Sequence, residues 1–246
     1  AGAVMSARLP LYVSLPMYDW PECRDATEAD WARIRQAAPE VLPAALGRID
    51  WSCADAYFRD PALVFSQCCW GPLSRGLLEW LEPLAQPDYS AFEGGRGPFY
   101  RSALVARSGA AVAVPDGPGP ALVPLEGLRL AINERDSLSG CLGLWDDLGA
   151  DPCTVAAGCL ETGSHRASVR AVAEGRADLA AIDCRSWALA LAHEPCAQSL
   201  VVVGWTSERP GLPYVTSRAT DPALKSALRA HLLRTGCHPV AEGRNG

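Results

Sequence analysis

The chain has 246 residues, of which 49% are apolar and 20% are charged, a composition typical of a globular protein with a substantial core. Its formal net charge of −6 argues against nucleic acid or an anionic membrane surface as a general partner, because both carry negative charge. No apolar run approaches the length that spans a bilayer, so we expect no membrane insertion. An anionic ligand would therefore need local hydrogen-bond donors.

Periodicity and turn residues predict the elements of the first half of the chain. They are a strand at 11–15, a helix at 27–38 capped by Thr27, a strand or strand edge at Trp51, a helix at 54–58, a strand at 63–67, an amphipathic helix at 72–84, and strands at 100–107 and 111–114.

The second half alternates strands and helices, which predicts an α/β fold with a parallel or mixed sheet flanked by helices. Its predicted strands are 128–132, 154–157, 179–183, 199–206 and 214–216, and its predicted helices are 139–148, 164–174, 184–192 and 221–234. Ligands of such folds bind beyond the carboxyl ends of the strands. The polar loops after residues 15, 67, 132, 157 and 182 are therefore the candidates for a binding site.

The ten cysteines follow no repeating spacing and include no C-x-x-C pair. A zinc or thioredoxin-like site has little support, and we expect neither a metal nor a cofactor. Cys141, Cys159 and Cys184 lie in apolar runs, where cysteine acts as a small apolar residue. A chain of this length does not need disulfides to form a core, so its many cysteines favour a reducing compartment.

The most informative loop is the segment 133–140, Asn-Glu-Arg-Asp-Ser-Leu-Ser-Gly, which follows an apolar strand. Ser137, Ser139 and Gly140 stand at the start of the next predicted helix, where unpaired N–H groups and the helix dipole favour an anion. Serine is also a common helix N-cap. Taken alone, the segment leaves capping and anion binding open.

Seven segments, in this order and spacing, resemble the phosphate/phosphonate-type substrate-binding proteins of ABC transporters nearly from end to end. They are 14–20 (Ser-Leu-Pro-Met-Tyr-Asp-Trp), 65–72, 100–107, 130–140, 163–168 (Gly-Ser-His-Arg-Ala-Ser), 175–183 and 210–216. The resemblance implies a two-lobed type II periplasmic-binding fold, in which each lobe is a mixed sheet flanked by helices. It places 1–103 and 203–246 in one lobe and 104–202 in the other, with two crossing strands as a hinge and the ligand in the cleft.

The resemblance also implies the residues of the site. The anion site would use Ser137, Ser139, Gly140, Ser164 and His165, joined by Tyr18 and Gln67 from the first lobe and by Asp183 at a strand end. As a departure from the family pattern, Trp20, Trp70 and Trp187 near the predicted cleft would supply an aromatic wall for an organic ligand, and core packing is the alternative for Trp20. A structural role stays open for His165, and Asp183 is equally suited to capping a helix or to binding a cationic group of the ligand.

We therefore expect a monomeric, non-catalytic solute-binding protein that captures a small anionic organic ligand for ABC-type uptake and delivers it to a permease. A phosphonate or phosphate ester is favoured over a sulfonate. Two alternatives stay open: an enzyme on the same fold with His165 or Asp183 as acid or base, and a ligand sensor that acts on another protein. The family is periplasmic, whereas the lack of a visible signal peptide and the many cysteines leave a cytoplasmic location open.

Overall fold

A computed structural model describes residues 11–110 and 114–241. Its strands are β1 (Tyr12–Val13), β2 (Leu63–Gln67), β3 (Leu81–Ala85), β4 (Gly95–Arg96), β5 (Phe99–Tyr100), β6 (Ser102–Arg107), β7 (Arg129–Ile132), β8 (Gly158–Glu161), β9 (Leu179–Asp183), β10 (Leu200–Trp205), β11 (Arg209–Pro210) and β12 (Tyr214–Ser217). Its helices are α1 (Arg24–Ile34), α2 (Ala54–Phe58), α3 (Trp70–Ser74), α4 (Gly143–Leu148), α5 (Pro152–Val155), α6 (His165–Ala173), α7 (Cys184–His193) and α8 (Pro222–Arg234). Short 3₁₀ helices occur at Pro21–Cys23, Arg35–Ala37, Trp51–Cys53, Leu77–Glu79 and Pro195–Ser199, and a π-helical turn, Leu138–Leu142, leads into α4.

Two mixed sheets form the two lobes, which confirms the predicted α/β fold class. The first lobe has the strand order β1-β2-β12-β3, and α1 and α8 pack on it through Trp31 and Leu228. The second lobe has the order β10-β6-β9-β7-β8, with Trp187 of α7 and Val169 of α6 in its core. A small sheet, β11-β5-β4, is formed by the segments that connect the lobes.

Parallel pairing brings the predicted site loops to one edge of each sheet. In the second lobe β7 runs parallel to β8 and to β9, so the loops after Ile132, Glu161 and Asp183 begin at the same edge. In the first lobe β1 and β2 are parallel, and the loops after Val13 and Gln67 share an edge. The carboxyl ends of parallel strands are the usual position of a ligand site in such sheets.

The predicted helix at 72–84 is wrong, because two shorter helical pieces and a strand occupy this segment. Gly76 has a φ of 128°, a conformation that ends the helix and is easily reached only by glycine. The chain then forms β3 at the edge of the sheet, where Pro83 is tolerated because the outer side of an edge strand needs no N–H donor.

Three further local predictions are wrong for reasons of capping. Trp51 begins a 3₁₀ helix instead of a strand, since the carboxylate of Asp50 accepts the N–H of Ser52. No strand forms at 154–157: residues 154–155 end helix α5, which Asp151 caps, residues 156–157 form a bend, and β8 follows. Thr27 does not cap α1, which begins at Arg24; its hydroxyl donates to the carbonyl of Cys23. The strand predicted at 111–114 falls largely outside the described residues.

Cys153 and Cys159 form a disulfide that joins α5 to the edge strand β8. Cys159 is exposed, so its predicted role as a small apolar residue is wrong, whereas Cys141 and Cys184 are buried as expected. A disulfide favours an oxidising compartment, opposite to the inference drawn from the number of cysteines.

Both predicted lobe boundaries fall inside strands. Residues 103–104 lie in β6 and residues 202–203 in β10, and these strands pair with each other within the second sheet. The residue boundaries of the lobes and the position of the hinge stay predictions. None of the helices in the two described ranges combines the length and apolar character that crossing a bilayer requires.

Candidate ligand-binding site

A cavity of about 400 Å³ lies between the two lobes. Seven of the nine predicted site residues line it: Tyr18, Trp20, Ser137, Ser139, Ser164, His165 and Asp183. The two lobes contribute different chemistry, since hydroxyl, amide and imidazole groups come from the second lobe and most apolar side chains from the first. The geometry of each wall follows from the local structure around it.

Two serines and a histidine form the polar wall. The hydroxyls of Ser137 and Ser139 lie 3.3 Å apart, and Ser139 Oγ lies 2.7 Å from Nε2 of His165. Ser137 also caps the π-helical turn, because its hydroxyl accepts the N–H of Gly140 at 3.2 Å. The carbonyl of Ser139 is held by the hydroxyl of Ser102 on β6. Capping and exposure to the cavity therefore coexist at Ser137.

Helix α6 begins at the same wall with unpaired donors. The hydroxyl and carbonyl of its N-cap, Ser164, accept the N–H groups of Ala167 and Ser168. In the described part of the chain, the N–H groups of His165 and Arg166 have no acceptor, as expected for the first turn of a helix. Together with the helix dipole they make this corner favourable for an anion.

Asp183 orients the histidine and caps α7. Its Oδ1 accepts the N–H groups of Arg185 and Ser186 and the hydroxyl of Tyr18, while Oδ2 lies 3.3 Å from Nε2 of His165. The predicted cap is confirmed. With its oxygens engaged in this way, Asp183 has little capacity left for a cationic group of a ligand.

The second ring nitrogen of His165 is buried and has no hydrogen-bond partner among the described residues. Burial lowers the pKa of this imidazole, and the nearby Asp183 carboxylate opposes the shift. The same carboxylate favours the proton on Nε2, because a lone pair there would face an anionic oxygen. Nδ1 can then donate to a ligand only when the ring is doubly protonated.

Gly140 and Gln67 serve the site indirectly. A Cβ at Gly140 would lie 1.8 Å from Oδ1 of Asn133, so only glycine lets the turn approach this side chain. The amide of Gln67 is buried and donates to the carbonyl of Leu212 at 3.0 Å, away from the cavity wall. Oδ1 of Asn133 is buried without a partner in the described residues, although Asn133 lines the cavity.

The first-lobe wall is largely apolar. Met17, Trp20, Trp51, Phe58 and Leu212 line the cavity. The guanidinium carbon of Arg166 lies over the ring of Trp20, 4.7 Å from the ring centroid. Trp20 therefore packs against Arg166 and also lines the cavity. The two other predicted tryptophans lie elsewhere: the indole of Trp70 donates to the carbonyl of Gly211, and Trp187 is in the core of the second lobe.

Among the described residues, three pairs of side chains form hydrogen bonds across the cleft and hold the lobes together. The hydroxyl of Tyr18 donates to Asp183 at 3.1 Å, and the indole N–H of Trp51 donates to Glu134 at 2.7 Å. Arg166 forms paired hydrogen bonds of 2.9 Å with Glu22. The described arrangement is therefore the closed one, with the cavity between lobes in contact.

Among the described residues, no unpaired cationic side chain lines the cavity. Arg166 is the cationic side chain on its lining, and it is bound by two carboxylates, those of Glu22 and Glu194. Glu134 also lines the cavity, and burial raises its pKa. An anion would therefore be held by hydroxyls, backbone N–H groups and His165. The described residues contain no cluster of three or more His, Cys, Asp or Glu side chains suited to a metal ion.

Sequence reasoning did not select Asn133, Trp51, Phe58 or Glu134, all of which line the cavity. Asn133 and Glu134 belong to the loop that was singled out, so the strand-end rule could have included them. Trp51 and Phe58 follow no strand, and the sequence around them carries no signal for the cavity. The assignment of ligand contacts to individual residues stays a prediction.

The comparisons with known proteins agree with this geometry. The family model for periplasmic phosphonate substrate-binding proteins of ABC transporters matches residues 79–244. Among curated protein sequences, none matches this chain.

Solved structures share the fold at low sequence identity. PhnD1 from Prochlorococcus marinus, solved with methylphosphonate, is 16% identical over 91% of this chain and 83% of that chain, with a TM-score of 0.67. A binding protein component of an ABC phosphonate transporter from Pseudomonas aeruginosa is 17% identical over 92% of this chain and 74% of that chain, with a TM-score of 0.65. A Xanthomonas citri protein bound to ATP is 18% identical over 94% and 91% of the two chains, with a TM-score of 0.61. These likenesses show the two-lobed fold.

Proposed function

This chain belongs to the family of periplasmic phosphonate substrate-binding proteins of ABC transporters, and from that premise we propose that its cleft captures a small organic phosphonate or phosphate ester for uptake. The observation that carries the proposal is the convergence of donors on one wall. Ser137, Ser139 and His165 line one cavity, together with the first turn of α6, in which the N–H groups of His165 and Arg166 have no acceptor among the described residues. Hydrogen bonds to an anion are shorter and stronger than bonds between neutral groups.

Capture would work by closure of the lobes around the ligand. The contacts that cross the cleft, such as those of Tyr18 with Asp183 and Trp51 with Glu134, form only when the lobes meet. A ligand that touches both walls adds to these contacts and shifts the population toward the closed form. We infer that the closed form is the one an ABC permease recognises, and that the protein acts as a monomer.

We infer that the site is not catalytic, although it contains a serine, a histidine and an aspartate. In a catalytic triad the serine and the carboxylate contact opposite nitrogens of the imidazole. Here Ser139 and Asp183 both lie beside Nε2 of His165. The carboxylate therefore cannot orient the ring to accept a proton from the serine, and the arrangement suits binding.

The proposal is tested by isothermal titration calorimetry of the purified protein with methylphosphonate, phenylphosphonate, glycerol 3-phosphate and inorganic phosphate. Neutral analogues, such as benzyl alcohol, serve as controls. We expect saturable one-to-one binding of at least one phosphonate or phosphate ester and none of the neutral compounds. Binding confined to the neutral compounds would refute the proposal.

A further inference from the structure

The two walls of the cavity differ in polarity, and this difference predicts the chemistry of the organic part of the ligand. The second-lobe wall carries the donors described above. The opposite wall is largely apolar and carries Asp19 as its charged side chain; its larger apolar side chains are Met17, Trp20, Pro21, Trp51, Phe58 and Leu212. A head group bound at the serines and the histidine would thus face an aromatic and aliphatic surface across the cleft.

The size of the cavity adds a second constraint. With the lobes in contact it still measures about 400 Å³. Cavities of about 300–1,000 Å³ are typical of sites for drug-sized ligands. Inorganic phosphate and methylphosphonate have only five non-hydrogen atoms each, so either would leave most of the apolar wall without contacts.

Each charged side chain near the apolar wall already has a partner. Oδ2 of Asp19 is paired with Arg48, whereas its buried Oδ1 has no partner among the described residues, and Glu134 accepts the indole N–H of Trp51. Arg166 covers Trp20 but is held by two carboxylates. Among the described residues of this wall, a second charged group on the ligand would meet only side chains that already have a charged or hydrogen-bonded partner, whereas an aromatic group would bury apolar surface on both partners.

We propose that the ligand is an anion with an aromatic or similarly bulky apolar substituent, its head group on the second lobe and its substituent on the first. This inference rests on the proposed function, since it extends the anion site across the cleft. The substituent supplies the contacts to the first lobe that a bare head group lacks. Closure of the lobes then depends on the substituent as well as on the anion.

The test compares benzylphosphonate with methylphosphonate in calorimetry on the wild-type protein. Burial of one aromatic ring predicts an affinity about tenfold or more higher for benzylphosphonate. Small-angle X-ray scattering should show that benzylphosphonate reduces the radius of gyration more than methylphosphonate does. Equal or tighter binding of methylphosphonate would overturn the inference and leave the anion-binding function standing. Absence of binding by both compounds, and by the other anions, would remove the function and the inference together.

Variants of Trp51 locate the apolar contact. Trp51 is 42% exposed, so its replacement should be compatible with folding. Trp51→Ala should lower the affinity for benzylphosphonate more than that for methylphosphonate, and Trp51→Phe should keep the preference although it loses the bond to Glu134. Trp80→Ala removes a tryptophan that is 44% exposed and lies off the cavity, and it should change neither affinity. If Trp51→Ala kept the wild-type preference for benzylphosphonate over methylphosphonate, the substituent would not contact Trp51, and its assignment to the first-lobe wall would be overturned.

Discussion

Tyr18 of the first lobe donates a hydrogen bond of 3.1 Å to Asp183 of the second lobe, and both side chains are buried. Burial and the nearby carboxylate raise the pKa of the Tyr18 phenol, so the hydroxyl keeps its proton and remains a donor. Asp183 in turn lies beside His165 and caps α7. One hydrogen bond thus links closure of the cleft to the orientation of the anion site.

Tyr18→Phe should favour the open form and weaken ligand binding. A hydrogen bond to a charged group contributes about 1.5–3 kcal/mol, and the low end applies because Asp183 keeps two backbone donors. We expect about a tenfold loss of phosphonate affinity by calorimetry and a larger radius of gyration in scattering. Tyr57→Phe is the matched control, since the hydroxyl of Tyr57 donates to Ser66 within the first lobe. Similar effects of both changes on affinity would contradict the role of Tyr18 in closure.

Gly71→Ala should block closure by a steric effect alone. A Cβ at Gly71 would lie 1.7 Å from the carbonyl oxygen of Asp136, which belongs to the opposite lobe. Gly71 is in helix α3, where alanine is intrinsically favoured over glycine by about 1 kcal/mol, so the first lobe itself should not be destabilised.

The expected result for Gly71→Ala is at least about a tenfold loss of phosphonate affinity with an unchanged circular dichroism spectrum. Gly119→Ala provides the control, because a Cβ there meets no atom within 4 Å. Wild-type affinity in Gly71→Ala would mean that the lobes need not approach this closely to bind.

The polar half of the site could be predicted from sequence because it depends on local rules. Ser137, Ser164 and Asp183 each follow a strand and begin a helix, and the parallel pairing of β7 with β8 and β9 brings their loops together. Helix starts and parallel alternation are both visible in residue type and spacing. The resemblance to a family then selected these loops among all strand ends.

The apolar half could not be predicted in the same way. The indole of Trp51 is held at the cavity by a hydrogen bond to Glu134, which is 83 residues away in sequence. A local sequence pattern cannot predict such a long-range contact. Trp70 and Trp187 were predicted to line the cleft on the same grounds as Trp20. In the structure the indole of Trp70 donates to a backbone carbonyl, and Trp187 packs in the core of the second lobe. The failed helix at 72–84 has a related cause, since the leucine spacing does not show that Gly76 takes a positive φ.

Ser137→Ala combined with Ser139→Ala should weaken anion binding more than it weakens the fold. Loss of the Ser137 cap costs about 1 kcal/mol of stability, and loss of two donors to an anion should lower affinity by about tenfold or more. Asp221→Ala removes the cap of α8, far from the cavity, and controls for the stability change. Calorimetry and urea unfolding of both variants separate the effects. Unchanged affinity in the double variant would move the anion site away from this turn.

The affinity for an anion should rise as the pH falls, because the anion would favour the doubly protonated form of His165. Burial lowers the pKa of this ring below its ordinary value of about 6.5, so near neutral pH it is uncharged without ligand. An anionic oxygen at the unpartnered Nδ1 would raise the pKa, and binding would take up a proton. The affinity is then highest at a pH below the pKa that His165 has in the free protein. It declines as the pH rises through the higher pKa that His165 has in the complex.

Benzenesulfonate is a suitable probe for this proton uptake, because it stays fully ionised while a phosphonate itself titrates near neutral pH. Calorimetry between about pH 5.5 and about pH 8, in buffers of different ionisation enthalpy, measures the affinity and the number of protons bound. His165→Gln should flatten the profile. His231→Gln, at a half-buried histidine far from the cavity whose ring contacts the carbonyl of Arg33, should leave it unchanged. A flat profile in the wild-type protein would show that Nδ1 does not face the anion, because Asp183 on the other side of the ring is present in both states.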